Sequence, residues 1–312
     1  MRYLNLLLVP FATLVLSSNS AATSKNGFDL TDALIPVDEI LSGGPPRDGI
    51  PAINQPKFEA ASEAGWMRDK DRVLALVVGG QAKAYPIGIL NWHEIVNDKV
   101  GDQHFVVTYC PLCGTGVVFA ANIADTALQF GVSGLLYNSD VLLYDRNSES
   151  LWSQLLGKSV SGKLKGVNLH QLPASHTTWK DWQQRYPDTL VLSRNTGFTR
   201  NYRESPYSGY EKTRRLYFKV SNKAPADYHP KERVIGLEID GFFKAYPYSE
   251  LSKNAKAGFN DTVAGKTVRI QWNEEAQSGG ITHENGDALP VVSSFWFAWF
   301  TFHPDTEIFS VN

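Results

Sequence analysis

The sequence is poor in the features that mark a membrane protein or a nucleic-acid-binding protein. Beyond the first 20 residues, no stretch reaches the roughly 18 uninterrupted apolar residues of a membrane-spanning helix. Lysine and arginine form no long block, and the formal net charge is -2. Cysteine is scarce as well, with 2 in 312 residues. We therefore expect neither stable membrane insertion nor a nucleic-acid partner, and the sequence identifies no protein partner.

The N-terminus has the pattern of a cleaved leader. Arg2 supplies a positive charge, residues 4–16 form a short apolar run, and Ser20-Ala-Ala22 offers the small residues that a signal peptidase accepts. No cysteine near this point is available to carry a lipid. We predict cleavage near Ala22 and a soluble periplasmic or secreted protein, in a compartment where two free thiols either form a disulfide or bind a metal.

An internal duplication organises the rest of the chain. The segment from Arg72 to Pro86 aligns without a gap to the segment from Arg233 to Pro247, and both end in Lys-Ala-Tyr-Pro. Two Trp-x-x-Trp motifs, at residues 179–182 and 296–299, align in the same way. Within each copy, short alternating strands meet at a Gly-Gly or Asp-Gly turn, and the proline then opens a short helix. The fold class predicted is α+β, β-rich, with two pseudo-symmetric repeats in one globular body.

The duplication sets the predicted domain bounds. They are a signal peptide at 1–22, an N-terminal extension packing on the core at 23–71, repeat 1 at 72–192, a linker at 193–232, and the shorter repeat 2, without cysteines, at 233–309.

The two cysteines lie in Cys110-Pro-Leu-Cys113-Gly, between β-branched and aromatic runs. This context predicts the turn of a β-hairpin and disfavours a thioredoxin-like site, in which the first cysteine caps a helix. The turn looks like half of a rubredoxin-type metal knuckle, with Gly114 and Gly116 permitting positive φ. Because half a knuckle supplies only two ligands, a metal needs partners from elsewhere in the chain.

Several motifs occur together in order along most of the chain. They include Asn91-Trp-His-Glu-Ile-Val-Asn-Asp98, the cysteine turn, Gly131-Val-Ser-Gly134 with Asn138-Ser-Asp140, and Tyr144-Asp-Arg146. In this combination the chain resembles the bacterial exported family catalogued as domain of unknown function 3179, over roughly residues 35–309. The resemblance implies export and one duplicated domain, and it implies no substrate.

His93 is the first candidate for a third ligand, because it precedes the cysteine strand by one connection, and His303 is the second. Two thiolates and an imidazole suit copper or zinc. A zinc enzyme would keep an open position beside a general base such as Glu94.

Asp140 and Asp145 are further catalytic candidates, because they could act as bases beside the thiols. No nucleotide cofactor is expected, since Gly131-Val-Ser-Gly134 lacks the lysine and the following helix of a phosphate loop.

Three functions remain open at this point. The first is a protein that binds a metal ion, copper or zinc, or a small molecule through Cys110, Cys113 and His93. The second is a thiol-disulfide or cysteine-dependent enzyme with His93 as its base. The third is a non-catalytic scaffold with a structural cysteine pair. A disulfide that closes so short a loop would restrain the unfolded chain by only about 2 kcal/mol, which disfavours a purely stabilising role.

Overall fold

The computed structural model describes residues 23–123, 126–254 and 258–311, so the predicted leader at 1–22 lies outside the described residues. It is rich in β-strand, as predicted.

The four described helices are α1 (Ile87–His93), α2 (Trp179–Arg185), α3 (Tyr248–Lys253) and α4 (Trp296–Phe302). The strands up to the middle of the chain are β1 (Ser24–Lys25), β2 (Phe28–Asp29), β3 (Ile40–Ser42), β4 (Phe58–Ala60), β5 (Arg72–Val78), β6 (Gln81–Pro86), β7 (Ile95–Val100), β8 (Gln103–Cys110), β9 (Thr115–Ala120), β10 (Asn122–Ile123), β11 (Thr126–Ala127), β12 (Phe130–Tyr137), β13 (Asp140–Asp145), β14 (Leu151–Ser153) and β15 (Lys158–Ser161). The later strands are β16 (Gln171–Leu172), β17 (Ser175–Thr178), β18 (Leu190–Leu192), β19 (Arg233–Ile239), β20 (Phe242–Pro247), β21 (Gly258–Val263), β22 (Lys266–Asn273), β23 (Ser278–His283), β24 (Val292–Phe295) and β25 (Glu307–Ile308).

The two aligned segments adopt the same order of elements. In the first, β5 lies between β17 and β6, and β18 runs parallel to β6. In the second, β19 lies between β24 and β20, and β25 runs parallel to β20. Each helix after the hairpin begins one residue later than predicted, because the proline is the last strand residue and caps the helix. The symmetry of the two segments as whole bodies stays a prediction.

Matching side-chain contacts stabilise each copy from within. The hydroxyl of Tyr85 donates to Asp98 at 2.6 Å, and that of Tyr246 donates to Asp261 at 2.9 Å. The indole N-H of a helix tryptophan donates to a following threonine in both copies, with Trp182 to Thr189 and Trp299 to Thr306 as the pairs. These contacts explain why the Trp-x-x-Trp motifs recur, since the buried indole N-H needs a partner.

One group of strands from the first copy pairs with the sheet of the second copy. The meander β7–β8–β9 joins the sheet of the second copy, because Gly116 in β9 pairs with Ser293 in β24. The corresponding meander β21–β22–β23 forms its own sheet and lies beside β17 of the first copy. Arg233 donates to the carbonyl of Gly114 at 3.1 Å, and Arg72 donates to that of Gln277 at 3.2 Å. Each copy therefore supports the hairpin turn of the other.

The first copy carries an additional sheet, of order β15–β14–β13–β12–β3. Its inner face packs Phe130 and Trp152 against each other in the largest hydrophobic cluster, which also contains both cysteines and the buried face of α4. Most of the aromatic run 295–302 is part of the core. Within the described part of the chain, no helix is long and apolar enough to span a membrane.

Candidate metal centre

The cysteines form the turn between β8 and β9, as predicted. Cys110 pairs with Thr115, and the N-H of Cys113 donates to the carbonyl of Cys110 at 3.2 Å. Gly114 has φ of +60°, as the predicted knuckle needs. Gly116 differs from the prediction, because it lies inside β9 without a positive φ. A glycine fits this position for a different reason, because a Cβ there would lie 3.0 Å from the side chain of Leu74.

A second tight turn meets the cysteine turn. Asn138 and Ser139 have φ of +52° and +68°, the pattern of a two-residue hairpin turn, and they join β12 to β13. The turn directs the carbonyl of Ser139 at the thiols, and Cys113 Sγ donates to it at 3.2 Å. It also brings in Asp140, so that the ligand atoms of Cys110, Cys113 and Asp140 all lie within 4.8 Å of one another. The third group at the thiols is therefore a carboxylate.

The three groups are buried, and burial disfavours the charged form of each. Both cysteines are free, and burial raises the pKa of each thiol. Burial also raises the pKa of Asp140 to about 7, although its Oδ2 accepts a hydrogen bond from the N-H of Leu155 at 3.0 Å. In the absence of a bound cation the thiols are thus poor nucleophiles, because the thiolate is the reactive form.

Three buried polar atoms around the thiols have no hydrogen-bond partner among the described residues. They are Asp140 Oδ1, the hydroxyl of Ser139 and the hydroxyl of Tyr210. Burial raises the pKa of Tyr210, and the nearby charges of Cys113 and Cys110 add to that rise. Buried polar groups nearly always have a partner, so these three atoms are available to bind a water or an ion.

Glu94 lies on the other side of the thiols. It ends α1 with φ of +58° and is buried. Burial raises its pKa to about 8, and the like charge of Asp140 acts in the same direction. The hydroxyl of Tyr207 donates to its Oε1 at 3.4 Å. A carboxyl group with this pKa can donate or accept a proton near neutral pH.

The structure does not bring His93 to the thiols. Its Nδ1 lies 2.7 Å from the carbonyl oxygen of Pro51, and its Nε2 lies 2.8 Å from the hydroxyl of Tyr202. Both ring nitrogens are thereby engaged, and burial lowers its pKa. His303 does not join the thiols either, because it stacks on Phe243 with ring centroids 4.0 Å apart. Asp140 occupies the place that the sequence analysis gave to His93.

Asp145 has a structural environment. Its Oδ2 accepts from the indole N-H of Trp152 at 2.9 Å and from the hydroxyl of Ser148 at 2.6 Å. Its Oδ1 accepts from the backbone N-H of Ser148 at 2.6 Å. These bonds fix the turn after β13, and the side chain is not part of the thiol cluster.

The second copy keeps the hairpin without the ligands. Asn273 pairs with Ser278 at the end of β22, in the position that Cys110 and Thr115 occupy in the first copy. In the same numbering of the turn, Ala276 is equivalent to Cys113. Gln277, with φ of +44°, is equivalent to Gly114. Among the described residues of the second copy, the extra sheet that supplies Asp140 has no counterpart.

The comparison with known families covers this whole site. The sequence model of the family described as "Protein of unknown function (DUF3179)" matches residues 47–288. The chain belongs to the DUF3179 family. The resemblance seen in the motifs is thus confirmed, and the matched range contains the cysteine turn, Asp140 and Glu94. No curated protein and no solved structure matches the chain.

The sequence analysis set Asp140 beside the thiols as a candidate base, and the structure brings its carboxylate to them. Asn138-Ser139 between apolar runs is the two-residue turn signal that places Asp140 at a strand end. Tyr210 went unrecognised. Tyr210 lies in the linker, in a short 3-10 turn at Tyr210–Lys212, and no local pattern distinguishes it from the other linker tyrosines.

Proposed function

We propose that this DUF3179 protein binds one transition-metal ion, zinc(II) in first place, through Cys110, Cys113 and Asp140. The observation that carries the proposal is the convergence of two sulfurs and a carboxylate oxygen within 4.8 Å, in a buried place where Asp140 Oδ1 has no partner. Three protein ligands leave a fourth position open, as in catalytic zinc sites. Ser139 and Tyr210 supply hydroxyl groups for a water or ligand in that position.

The donor set favours zinc over copper(I). Thiolates suit both ions, whereas a carboxylate oxygen is a usual zinc ligand and a poor partner for the softer copper(I). Glu94 supports the same reading, because a buried carboxyl group whose charge acts on Cys110 is suited to serve as a general base for a metal-bound water. We propose that the protein works after export, on the basis of the leader pattern at residues 1–22.

The test is elemental analysis of the mature protein, expressed with its leader and purified without a histidine tag. We expect about one zinc per chain. Cys113→Ser and Asp140→Asn should weaken zinc binding by more than about tenfold, measured by competition with a chromophoric chelator. Cobalt substitution should give thiolate-to-cobalt charge-transfer bands in the wild type and lose them in Cys113→Ser.

Two control variants separate a lost ligand from a damaged fold. Asp145→Asn changes a buried carboxylate on the same strand as Asp140, and it should lower thermal stability while keeping the ion. His93→Gln should also keep the ion. Loss of zinc in His93→Gln together with its retention in Asp140→Asn would refute this ligand set. A metal-free protein with a reversible Cys110–Cys113 disulfide would favour a redox dithiol instead.

A further inference from the structure

A cavity of about 460 Å³ opens beside the proposed metal centre. Its walls are mainly apolar, formed by Ile50, Leu112, Val132, Leu135, Leu136 and Val141. Leu112 lies between the two cysteines, and Val141 directly follows Asp140. The volume is within the range of small-molecule sites, and apolar walls with a few polar groups are typical of them. None of the three proposed ligands lines the cavity, which meets the metal centre through their chain neighbours Leu112 and Val141.

The titratable side chains that line the cavity differ in how deeply they are buried. Glu94 is buried and forms the inner end, next to the thiols. Arg215 and Tyr217 are exposed and form the outer end, and Tyr207 is the fourth titratable group of the lining. Within the described part of the chain, the guanidinium of Arg215 makes no ion pair or hydrogen bond. Arg215 is the one cationic side chain among the residues that line this cavity.

Apart from Glu94 and Leu112, the walls come from three stretches of the chain. They are the N-terminal stretch 43–50, the β12–β13 hairpin at 132–141 and the linker stretch 207–218. The hairpin is also the element that supplies Asp140. One hairpin thus contributes both the proposed third ligand and part of the cavity wall.

We propose that this cavity binds a small molecule with an apolar body and one anionic group. The apolar body lies against Leu112, Val132 and Val141 and reaches toward the open position of the metal, and the anion pairs with Arg215. A fatty or aromatic carboxylate has this chemistry. The proposal rests on the proposed function for its link to the metal, while the cavity itself can be tested separately.

The test uses the zinc-loaded mature protein and the fluorescent probe 1-anilinonaphthalene-8-sulfonate, which has an apolar body and one anionic group. We expect saturable binding of about one probe per chain. Octanoate should displace the probe at concentrations about tenfold below those of 1-octanol, because only octanoate can make a charge-assisted hydrogen bond with the arginine. Equal displacement by the two competitors would overturn the proposed anion site.

Three variants locate the binding. Arg215→Gln should remove most of the preference for octanoate, whereas Arg214→Gln, an equally exposed neighbour outside the lining, should leave it within about twofold. Ile50→Trp, at a half-buried wall position, should weaken probe binding by about tenfold or more by filling the space. Equal effects of the two arginine changes, or probe binding unaltered by Ile50→Trp, would contradict the assignment.

Metal content of the same samples keeps the two proposals distinguishable. One zinc per chain with no saturable probe binding overturns the cavity proposal alone. Probe binding that follows the arginine and isoleucine variants in a protein without metal overturns the proposed function and the link between cavity and metal. In the expected case zinc stays at one per chain in Arg215→Gln, and octanoate shifts the visible bands of the cobalt-substituted protein.

Discussion

A lysine–aspartate pair occurs once in each copy of the duplication, and the two pairs differ in burial. Lys83 Nζ lies 2.5 Å from Asp98, with side chains 4% and 6% exposed. Lys244 Nζ lies 2.9 Å from Asp261, with side chains 12% and 20% exposed. Removing one partner of a buried pair leaves an uncompensated charge and costs about 3–5 kcal/mol, whereas exposed pairs contribute about 0–1 kcal/mol. Asp98→Asn should therefore destabilise the protein by about 3–5 kcal/mol, and Asp261→Asn by about 1–2 kcal/mol.

Urea unfolding of the metal-free protein at pH 7 measures both changes in one chain. Each variant keeps an acceptor oxygen for the copy's tyrosine hydroxyl, Tyr85 or Tyr246. Lys244 also lies 3.6 Å from Glu307, so its greater exposure and this remaining carboxylate both reduce the loss in Asp261→Asn. Adding Lys83→Met to Asp98→Asn removes the stranded ammonium and should restore a large part of the stability, because the buried charge carries the cost. Equal losses for the two aspartate variants, or no recovery in the double variant, would refute the reasoning from burial.

Three further predictions concern the site. Glu94 has a pKa of about 8 in the folded protein against about 4.5 when unfolded, so the folded protein binds more protons between these values and loses stability as the pH rises through them. Glu94→Gln should remove that loss and add about 1–3 kcal/mol at pH 8 and little at pH 4.5, measured by urea unfolding of the metal-free protein, and an unchanged pH profile would contradict this. Gly114→Ala should lower stability by about 1–3 kcal/mol, because φ is +60° and the new Cβ would lie 2.9 Å from the ring of Phe295. The matched control is Gly80→Ala, where φ is +76° and the new Cβ would meet open space. It should lower the stability by about 1 kcal/mol, and thermal unfolding measures both variants. Zinc affinity should rise with pH by up to about a hundredfold per unit between pH 7 and 8, since both thiols are protonated in the free site, and a chelator competition series with no pH dependence would mean that the thiols are not ligands.

Local signals predicted the parts of the fold that depend on neighbouring residues. The Gly79-Gly80 turn, the short helices after Pro86 and Pro247, and the cysteine hairpin all form as expected, because each follows from turn geometry or side-chain alternation within about ten residues. The joining of the meander β7–β8–β9 to the sheet of the second copy did not follow from sequence, because it depends on the long-range pairing of Gly116 with Ser293.

The proposed third ligand could not be identified from residues that are neighbours in the sequence. His93 is closer in sequence to the cysteine strand, and that proximity was the basis of its choice. At the end of α1 the chain turns through Glu94 at a positive φ, so Glu94 faces the thiols while the histidine ring bonds to Pro51 and Tyr202. Asp140 reaches the thiols only because a second hairpin turn packs on the first, a long-range contact that no local pattern encodes.

The difference between the copies locates function within the duplicated fold. Both keep the hairpin, the lysine–aspartate pair and the tryptophan–threonine bond, so these features serve stability. Among the described residues, the two thiols and the sheet that carries Asp140 occur in the first copy alone, and Tyr207 and Tyr210 come from the linker. The thiols and Asp140 meet at one buried place, where Asp140 Oδ1 has no hydrogen-bond partner among the described residues. Because an unpartnered buried polar atom reduces stability, a scaffold role alone gives no reason for this arrangement, whereas a bound ion would satisfy it.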